Sequence, residues 1–513
     1  MLRSLRNIGR LWNITRLLAR HDALFPLEHL NLAQTIVSTA RWLSRRNVNG
    51  RPGQRLAQAL NEAGPSFIKL GQVLATRSDL LGEDIAKDLS DLQDRLPPFP
   101  GSDARKTIEA EFKRSLEEIF TVFIENPVAA ASIAQVHFAV TNDGREVAVK
   151  ILRPNIEAAF ARDLDLLNWG ANLIERARPD LRRLKLRKVV QTLADSVDVE
   201  MDLRFEAAAA VELLANFSDD PDFNVPKVDW SRTGKRVMTT DRIEGISMDD
   251  RAALEAAGHD LLEITTKAAR TTFNQVFRDG FFHADVHPGN LFVTKNGAIA
   301  AVDFGIMGRL DIKTRRTLGE MLLAFLTRDY RRAAEIHFEA GWVPAGQSVE
   351  AFTQACRSIA EPIFDKPQNE ISIARLLGQL FQVTKIFQME TQPQLLLLQK
   401  TILVAEGTAR KLSPNANIWL LARPLIEEWM TFTLGPEARL RETVDGMTSA
   451  VNRLPRVLEG LERSSQMITT GQIQLHHDTI KKLRGEPGKK SITNSLLLTV
   501  VLLFLVIIFI RFI

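Results

Sequence analysis

His283-Ala284-Asp285-Val286-His287-Pro288-Gly289-Asn290, followed downstream by Asp303-Phe304-Gly305, decides how this chain is read. The octapeptide follows an apolar helical stretch and precedes a predicted strand. Asp285 can accept the proton of an attacking hydroxyl, and Asn290 can bind a metal ion from the same loop. Pro288 and Gly289 shape that loop so that both side chains face one pocket. Asp303 directly follows the apolar segment 298–302 and a turn at Asn296-Gly297. There it would hold the Mg²⁺ (or Mn²⁺) that bridges nucleotide phosphates. His283 and His287 do not read as zinc ligands. The acids suit a hard cation, and no third histidine or cysteine lies nearby in sequence.

Upstream stand the other pieces of a phosphoryl-transfer site. Val147-Ala148-Val149-Lys150 ends the second strand of a predicted hairpin, 128–140 and 145–152, turned at Asn142-Asp143-Gly144. A lysine fixed on a strand can reach the phosphates of ATP. Glu206, on the helical segment 199–214, can pair with Lys150. Alone, these are an ordinary strand-end lysine and an ordinary helix glutamate; with the loop and Asp303 they favour an ATP and divalent-metal site. A loop covering the phosphates should be rich in glycine, so that backbone N–H groups come close. Here the segment is Val128, Ala129, Ala130, Ala131, Ser132, Ile133, Ala134, Gln135 and Val136, and it must hold the nucleotide differently. The predicted hinge beyond the sheet, 239–243, offers Asp241 and Ile243 to the nucleotide. After Gly305 a helical pattern begins near Lys313, with little room for a long activation loop and no Ala-Pro-Glu. No docking platform for a peptide substrate is evident.

Helical patterning runs from Leu27 to Phe123, broken by the proline-rich 92–100, and returns from the hairpin to Asn216. Strand-rich patches are predicted at 223–230, 236–243, 291–293 and 298–302, with helix prevailing to about Arg439. The expected fold class is therefore α+β. It is a bilobal, atypical protein-kinase-like fold with an N-terminal helical extension and a C-terminal transmembrane helix. The predicted divisions are 1–45, a basic amphipathic membrane-surface segment; 46–125, a helical extension; 126–245, a β-rich lobe with a helical insert; and 246–440, a helical lobe. A helical and linker tail, 441–490, leads to the anchor, 491–513.

The 513 residues, 45% hydrophobic and 25% charged, fit a folded chain of two or three units. A formal net charge of +4 gives no bulk signal for nucleic acid. Cys356 is the only cysteine, so no internal disulfide or cysteine-rich zinc site can form, and a reducing location fits. From Leu496 to Ile510 the chain is apolar except for Thr499. With its flanks this gives roughly 20 residues, about enough to cross a ~30 Å hydrocarbon core. Lys481, Lys482, Arg484, Lys489 and Lys490 precede it and place the large domain on the cytoplasmic side. At the other end, Leu2, Leu5, Ile8, Leu11, Ile14, Leu17 and Leu18 recur at helical spacing among arginines. That pattern suits an anionic membrane surface, a mitochondrial presequence, or a helix packed on its own domain.

Three further stretches complete a set. Lys69-Leu70-Gly71-Gln72 is a KxGQ motif, Ala129-Ala130-Ala131-Ser132 an alanine-rich loop, and Glu200-Met201-Asp202 an ExD motif. With HxDxHPGN and DFG they resemble the UbiB family of atypical kinases, from about Pro65 through the catalytic lobe and at the C-terminal anchor. Departures are Leu203, Ala209 and a more polar hinge. The resemblance implies that the extension folds over the active site, bringing Lys69 and Gln72 into the pocket near Glu200 and Asp202. It implies ATPase or small-molecule kinase activity supporting ubiquinone biosynthesis, with ATP and Mg²⁺ as cofactors. Implied partners are membrane lipids and quinone-biosynthesis proteins or lipid intermediates, with a second copy of the chain as a further candidate and no nucleic acid. The implied location is the bacterial inner membrane, single-pass, with the mitochondrial inner membrane as the alternative. A nucleotide-gated scaffold and a small-molecule or lipid phosphotransferase are the competing functions.

Overall fold

A computed structural model provides the fold. It describes residues 2–25, 50–75, 81–90, 92, 96–177, 185–364, 383–384, 386–389, 392–414, 424–425 and 427–431. The predicted tail 441–490 and anchor 491–513 lie outside the described residues. Among the described residues, no helix is long and apolar enough to cross a membrane.

The sheet that carries Lys150 grows from short β-prone runs. Phe120–Phe123 forms β1, Ala129–Ala130 β2, Ala134–Thr141 β3 and Glu146–Leu152 β4. Two expectations change here. The helical pattern runs to Phe123, yet β1 pairs antiparallel with β3, because its tertiary partner outweighs local preference. The strand predicted over 128–140 is broken: Ala131 N donates to Ala134 O at 2.8 Å, and the chain folds back from β2 onto β3. The predicted hairpin turn holds, closed by Gly144 N to Thr141 O at 2.9 Å with Gly144 at φ +84°. After Phe223–Asn224, β5, comes Val237–Asp241, β6, which pairs with β4 and completes the antiparallel order β1-β3-β4-β6, with β2 on β3.

Register then assigns faces. Lys150 lies opposite Val136 and Met238, and Ala148 opposite Phe138 and Thr240, so these six side chains share the cleft face. Val147, Val149, Ile151 and Val237 point the other way and bury against Ala104 and Ile108 of the helix Gly101–Phe112. Each fully buried side chain of this kind stabilises by about 1.5–3 kcal/mol.

The second lobe contributes two small sheets. β7 (Ile246–Ser247), β9 (Leu291–Val293) and β10 (Ile299–Ala301) join β5 in the order β5-β10-β9-β7; β8 (Phe281–His283) pairs with β11 (Met307–Arg309). The β8–β11 pair takes up the chain just after Gly305, and Asp311 caps the next helix, Ile312–Leu326, by accepting from Thr314 N. The short post-Gly305 segment expected from the sequence is thus a strand tied to the entry of the catalytic loop.

Gly280 precedes β8 at φ +66°, and a Cβ there would lie 2.4 Å from Leu310 O. Gly280→Ala is expected to cost about 2–4 kcal/mol, from left-handed backbone plus a clash with main chain. A thermal-shift measurement checks it; an unchanged midpoint would refute the steric account. Cys356 is 4% exposed on the helix Val349–Phe364, and burial pushes its thiol up to about 12. It is expected to stay unmodified by Ellman's reagent at pH 8 until the chain is denatured; labelling of the native protein would contradict this.

The largest buried cluster runs between the lobes, joining Ala134, Leu152 and Met238 to Leu203, Ala207 and Phe304. Leu70 and Val73, from the helix Pro65–Ala75, pack onto it. Leu70 also packs on the extension's own core of Leu56, Leu60, Phe67, Ile68 and Leu89. Gly71 lets the helix pack closely here: a Cβ would come within 2.9 Å of the Leu60 and Leu92 side-chain tips, which would have to shift. The N-terminal helix Leu2–Arg20 also packs on protein. Arg10 pairs with Asp163, Asn7 donates to Asp165 at 3.3 Å, and Thr15 and Ala19 are buried.

Candidate active site

Strand, helix and loop deliver their charges to one point. Lys150 Nζ lies 2.7 and 2.9 Å from the two Glu206 carboxylate oxygens and 3.0 Å from Asp303 Oδ1. Burial works against the Lys150 charge, but the Asp303 and Glu206 carboxylates outweigh it and raise its pKa above the usual lysine range. Burial likewise opposes the Asp303 charge, yet Lys150 holds that carboxyl well below the usual range. Burial pushes Glu206 upward while Lys150 pulls against it. Asp303 sits at φ +62°, a left-handed conformation that costs a non-glycine residue about 1–2 kcal/mol and that Asp and Asn tolerate best. Phe304 anchors the turn, 2% exposed in the interlobe cluster.

The catalytic loop is held from behind. His283 is fully enclosed; its Nδ1 accepts from Asp285 N at 3.1 Å and its Nε2 donates to Val302 O at 3.2 Å. Burial lowers its pKa, so the ring is neutral and serves as a spacer between the loop and the strand leading to Asp303. Gln275, on the π-helical turn Asn274–Asp279, accepts from His283 N at 2.9 Å. Asn290 donates from Nδ2 to Asp285 O at 3.2 Å, which leaves its carbonyl oxygen as the group for a cation. His287 Nδ1 accepts from Gly289 N at 3.2 Å, and the rest of its ring lies near Asp285, Nε2 to Oδ2 3.9 Å.

The donor set suits a hard cation accompanied by phosphate. Among the described residues no three His, Cys, Asp or Glu side chains converge as a metal cage. Asp303 and Asn290 offer oxygens instead, the kind of incomplete shell that Mg²⁺ fills with phosphates and water. In the alanine-rich turn, Ser132 Oγ is fully buried with no hydrogen-bond partner among the described residues, a polar atom that a bound ligand or water would satisfy.

The other sequence candidates are placed as follows. Arg153 pins the alanine-rich turn from outside, its guanidinium donating to Ala131 O at 2.8 Å and its N–H to Ile133 O at 2.8 Å. Ala129, Val136 and Ala134 lie on the cleft side of the register; Val128 is half-exposed and donates to Val136 O at 2.8 Å. Ala130 and Gln135 lie on the reverse face. Gln135 bonds the Phe99 backbone at 3.0 and 3.2 Å and His137 at 2.8 Å, so its side chain faces away from the nucleotide. Asp241 also lies on the reverse face, paired with Val147 and 3.5 Å from Arg145, while Thr240 is the cleft-facing side chain; Ile243 follows the strand and is half-buried.

Lys69 Nζ meets Glu200 Oε2 at 2.9 Å, with the lysine buried and the glutamate side chain 13% exposed. Gln72 follows one turn later on the same helix, half-buried. Asp202 is not brought to Lys69 by any described contact: it caps the helix Leu203–Asn216, which carries Glu206, and grips Arg204 at 2.6 and 2.8 Å. The Arg204 hydrogen bonds lower its pKa. Sequence reasoning missed Lys400, on the helix Pro393–Leu412, whose ammonium lies 2.9 Å from Asp285 Oδ1. The one signal was a lone lysine inside the apolar run 395–405.

The ABC1 atypical kinase-like domain matches residues 91–337 and the UbiB helical domain residues 356–417. Relatives named "Probable protein kinase UbiB" include one from Marinobacter nauticus, 40% identical over 485 residues, covering 93% of this chain and 86% of the relative. Another, from Azotobacter vinelandii, is 43% identical over 423 residues, covering 82% and 78%. Among solved structures, the Rv3197–erythromycin complex from Mycobacterium tuberculosis is similar with a TM-score of 0.52 and 28% identity, over 72% of this chain and 94% of that one. A kinase-like pair of lobes, a KxGQ helix seated on ExD and relatives matching along most of the length lead to one conclusion: the chain belongs to the UbiB family of atypical kinases.

Proposed function

We propose that this protein binds ATP with Mg²⁺ (or Mn²⁺) in the interlobe cleft and transfers its γ-phosphoryl group to water or a small acceptor, in support of ubiquinone biosynthesis. The observation that carries the reading is the convergence of Lys150, Glu206 and Asp303 within 3.0 Å contacts. Lys150 would steady the phosphates, Asp303 and Asn290 would hold the metal that neutralises them, and Asp285 would orient the acceptor. The short strand after Gly305 offers no platform for a protein substrate, which favours a small acceptor, lipid-linked or water. The apolar run 496–510 within the expected anchor 491–513, and the basic residues before it, support a single-pass anchor in a bacterial inner membrane, the catalytic lobes facing the cytoplasm, with membrane lipids and quinone-biosynthesis proteins or lipid intermediates as partners.

The test is ATP turnover by the purified full-length protein with lipid vesicles, alongside quinone profiling of cells lacking the protein or carrying Asp285→Asn. Nucleotide binding without turnover would favour a nucleotide-gated scaffold, a reading supported by the Lys69–Glu200 lock beside the site. Normal quinone levels in both strains would remove the pathway claim.

A further inference from the structure

We propose that Lys400 supplies the positive charge on the acceptor side of the cleft, holding Asp285 and the transferring phosphoryl group together. This rests on the phosphoryl-transfer reading above and assigns a role in it to the helix Pro393–Leu412.

The nucleotide side has Lys150. Within the loop 283–290 there is neither lysine nor arginine, and the nearest ring nitrogen, His287 Nε2, stands 3.9 Å from Asp285 Oδ2, beyond hydrogen-bond distance. A bare Asp285 carboxylate would repel the phosphoryl oxygens it must sit beside. Lys400 Nζ, at 2.9 Å from Asp285 Oδ1, removes that conflict. Its place is built. Leu398, Thr401, Ala409 and Leu412 bury one face of its helix. Ala405, Thr408 and Ala409 line one small cavity with Thr265, Ala268 and Thr272 of the helix Leu261–Phe273, with Val286 from the loop and with Leu291 at the start of β9. The cavity left there is about 20 Å³, room for one water and no ligand, so helix and loop are seated on each other. The Lys400 and Asp285 side chains are 48% and 32% exposed. A pair this open contributes little to folding, which turns attention to its place in the cleft.

In the transfer step the acceptor oxygen bonds to the γ-phosphorus as the bond to the β–γ bridging oxygen breaks. The acceptor proton passes to Asp285, and ADP leaves with the bridging oxygen. Lys400 then faces the equatorial oxygens, where charge accumulates.

The experiment compares wild type, Lys400→Met, Lys400→Arg and Asp285→Asn/Lys400→Met, full-length in phosphatidylethanolamine–phosphatidylglycerol vesicles. Lys400→Met is expected to lower kcat about 10–100-fold with KM for ATP changed less than about threefold. Lys400→Arg should restore most of kcat, and the double variant should be no slower than Asp285→Asn. Unchanged kcat overturns the proposal. So does raised kcat, which would make Lys400 a brake on Asp285, and so does an arginine variant no better than methionine. If the wild type binds ATP without turnover, the phosphoryl-transfer reading fails separately. Lys400 is then judged by preference for ADP–aluminium fluoride over ADP: a roughly tenfold loss in Lys400→Met supports its contact with the phosphoryl group, and no loss overturns it.

Discussion

Asp303→Asn is expected to lower ATP turnover on the order of 10²–10³-fold, about 2.7–4 kcal/mol of transition-state stabilisation, with the melting temperature almost unchanged. Asparagine tolerates the left-handed backbone at this position, where φ is +62°. Lys150 keeps its 2.7 Å contact with Glu206, so no buried charge is orphaned. What is lost is a carboxylate oxygen for the cation. Lys150→Met should differ in kind. Glu206, with its side chain 9% exposed, would lose its cation, and breaking such a pair costs about 3–5 kcal/mol. Turnover and thermal stability should therefore fall together in Lys150→Met but separate in Asp303→Asn. Near-normal turnover in Asp303→Asn would show that the metal is held elsewhere.

The second large effect lies outside the ATP-contacting residues. Lys69→Met or Glu200→Gln alone should destabilise by about 2–4 kcal/mol, because each breaks an ion pair whose side chains are only 8% and 13% exposed. Combined as Lys69→Met/Glu200→Met, the loss should be much smaller than the sum, since an apolar pair removes both desolvation penalties. Chemical denaturation of all three variants measures the coupling. Strict additivity would mean that the pair is too solvated to matter, contrary to its burial.

Much of this was readable in the chain because the chemistry is carried by local spacing. The loop at 283–290, Asp303 after a strand, and Lys150 at the end of another each occupy a few consecutive residues. Glu206 stands out from an ordinary helix glutamate only beside Lys150, the loop and Asp303, and Lys69 needs the family resemblance. Sheet period could have placed Asp241: Lys150 opposes Met238, so Met238 and Thr240 share its face and Asp241 does not. β1, β8 and β11 were invisible for a different reason. They are three or four residues long and exist only by pairing with distant segments. Lys400 lies 115 residues from Asp285, in a run whose hydrophobicity announces packing and nothing more.

Leu70 belongs at once to the extension's interior and to the seam around Phe304. That shared residue makes the N-terminal helices inseparable from the nucleotide-binding half in practice. A shortened protein beginning at the first β-strand would expose greasy surface where Leu70 and Val73 had rested, and it would clump in solution. Evolution faces the same constraint: a descendant could drop this cover only after rebuilding the seam beneath it.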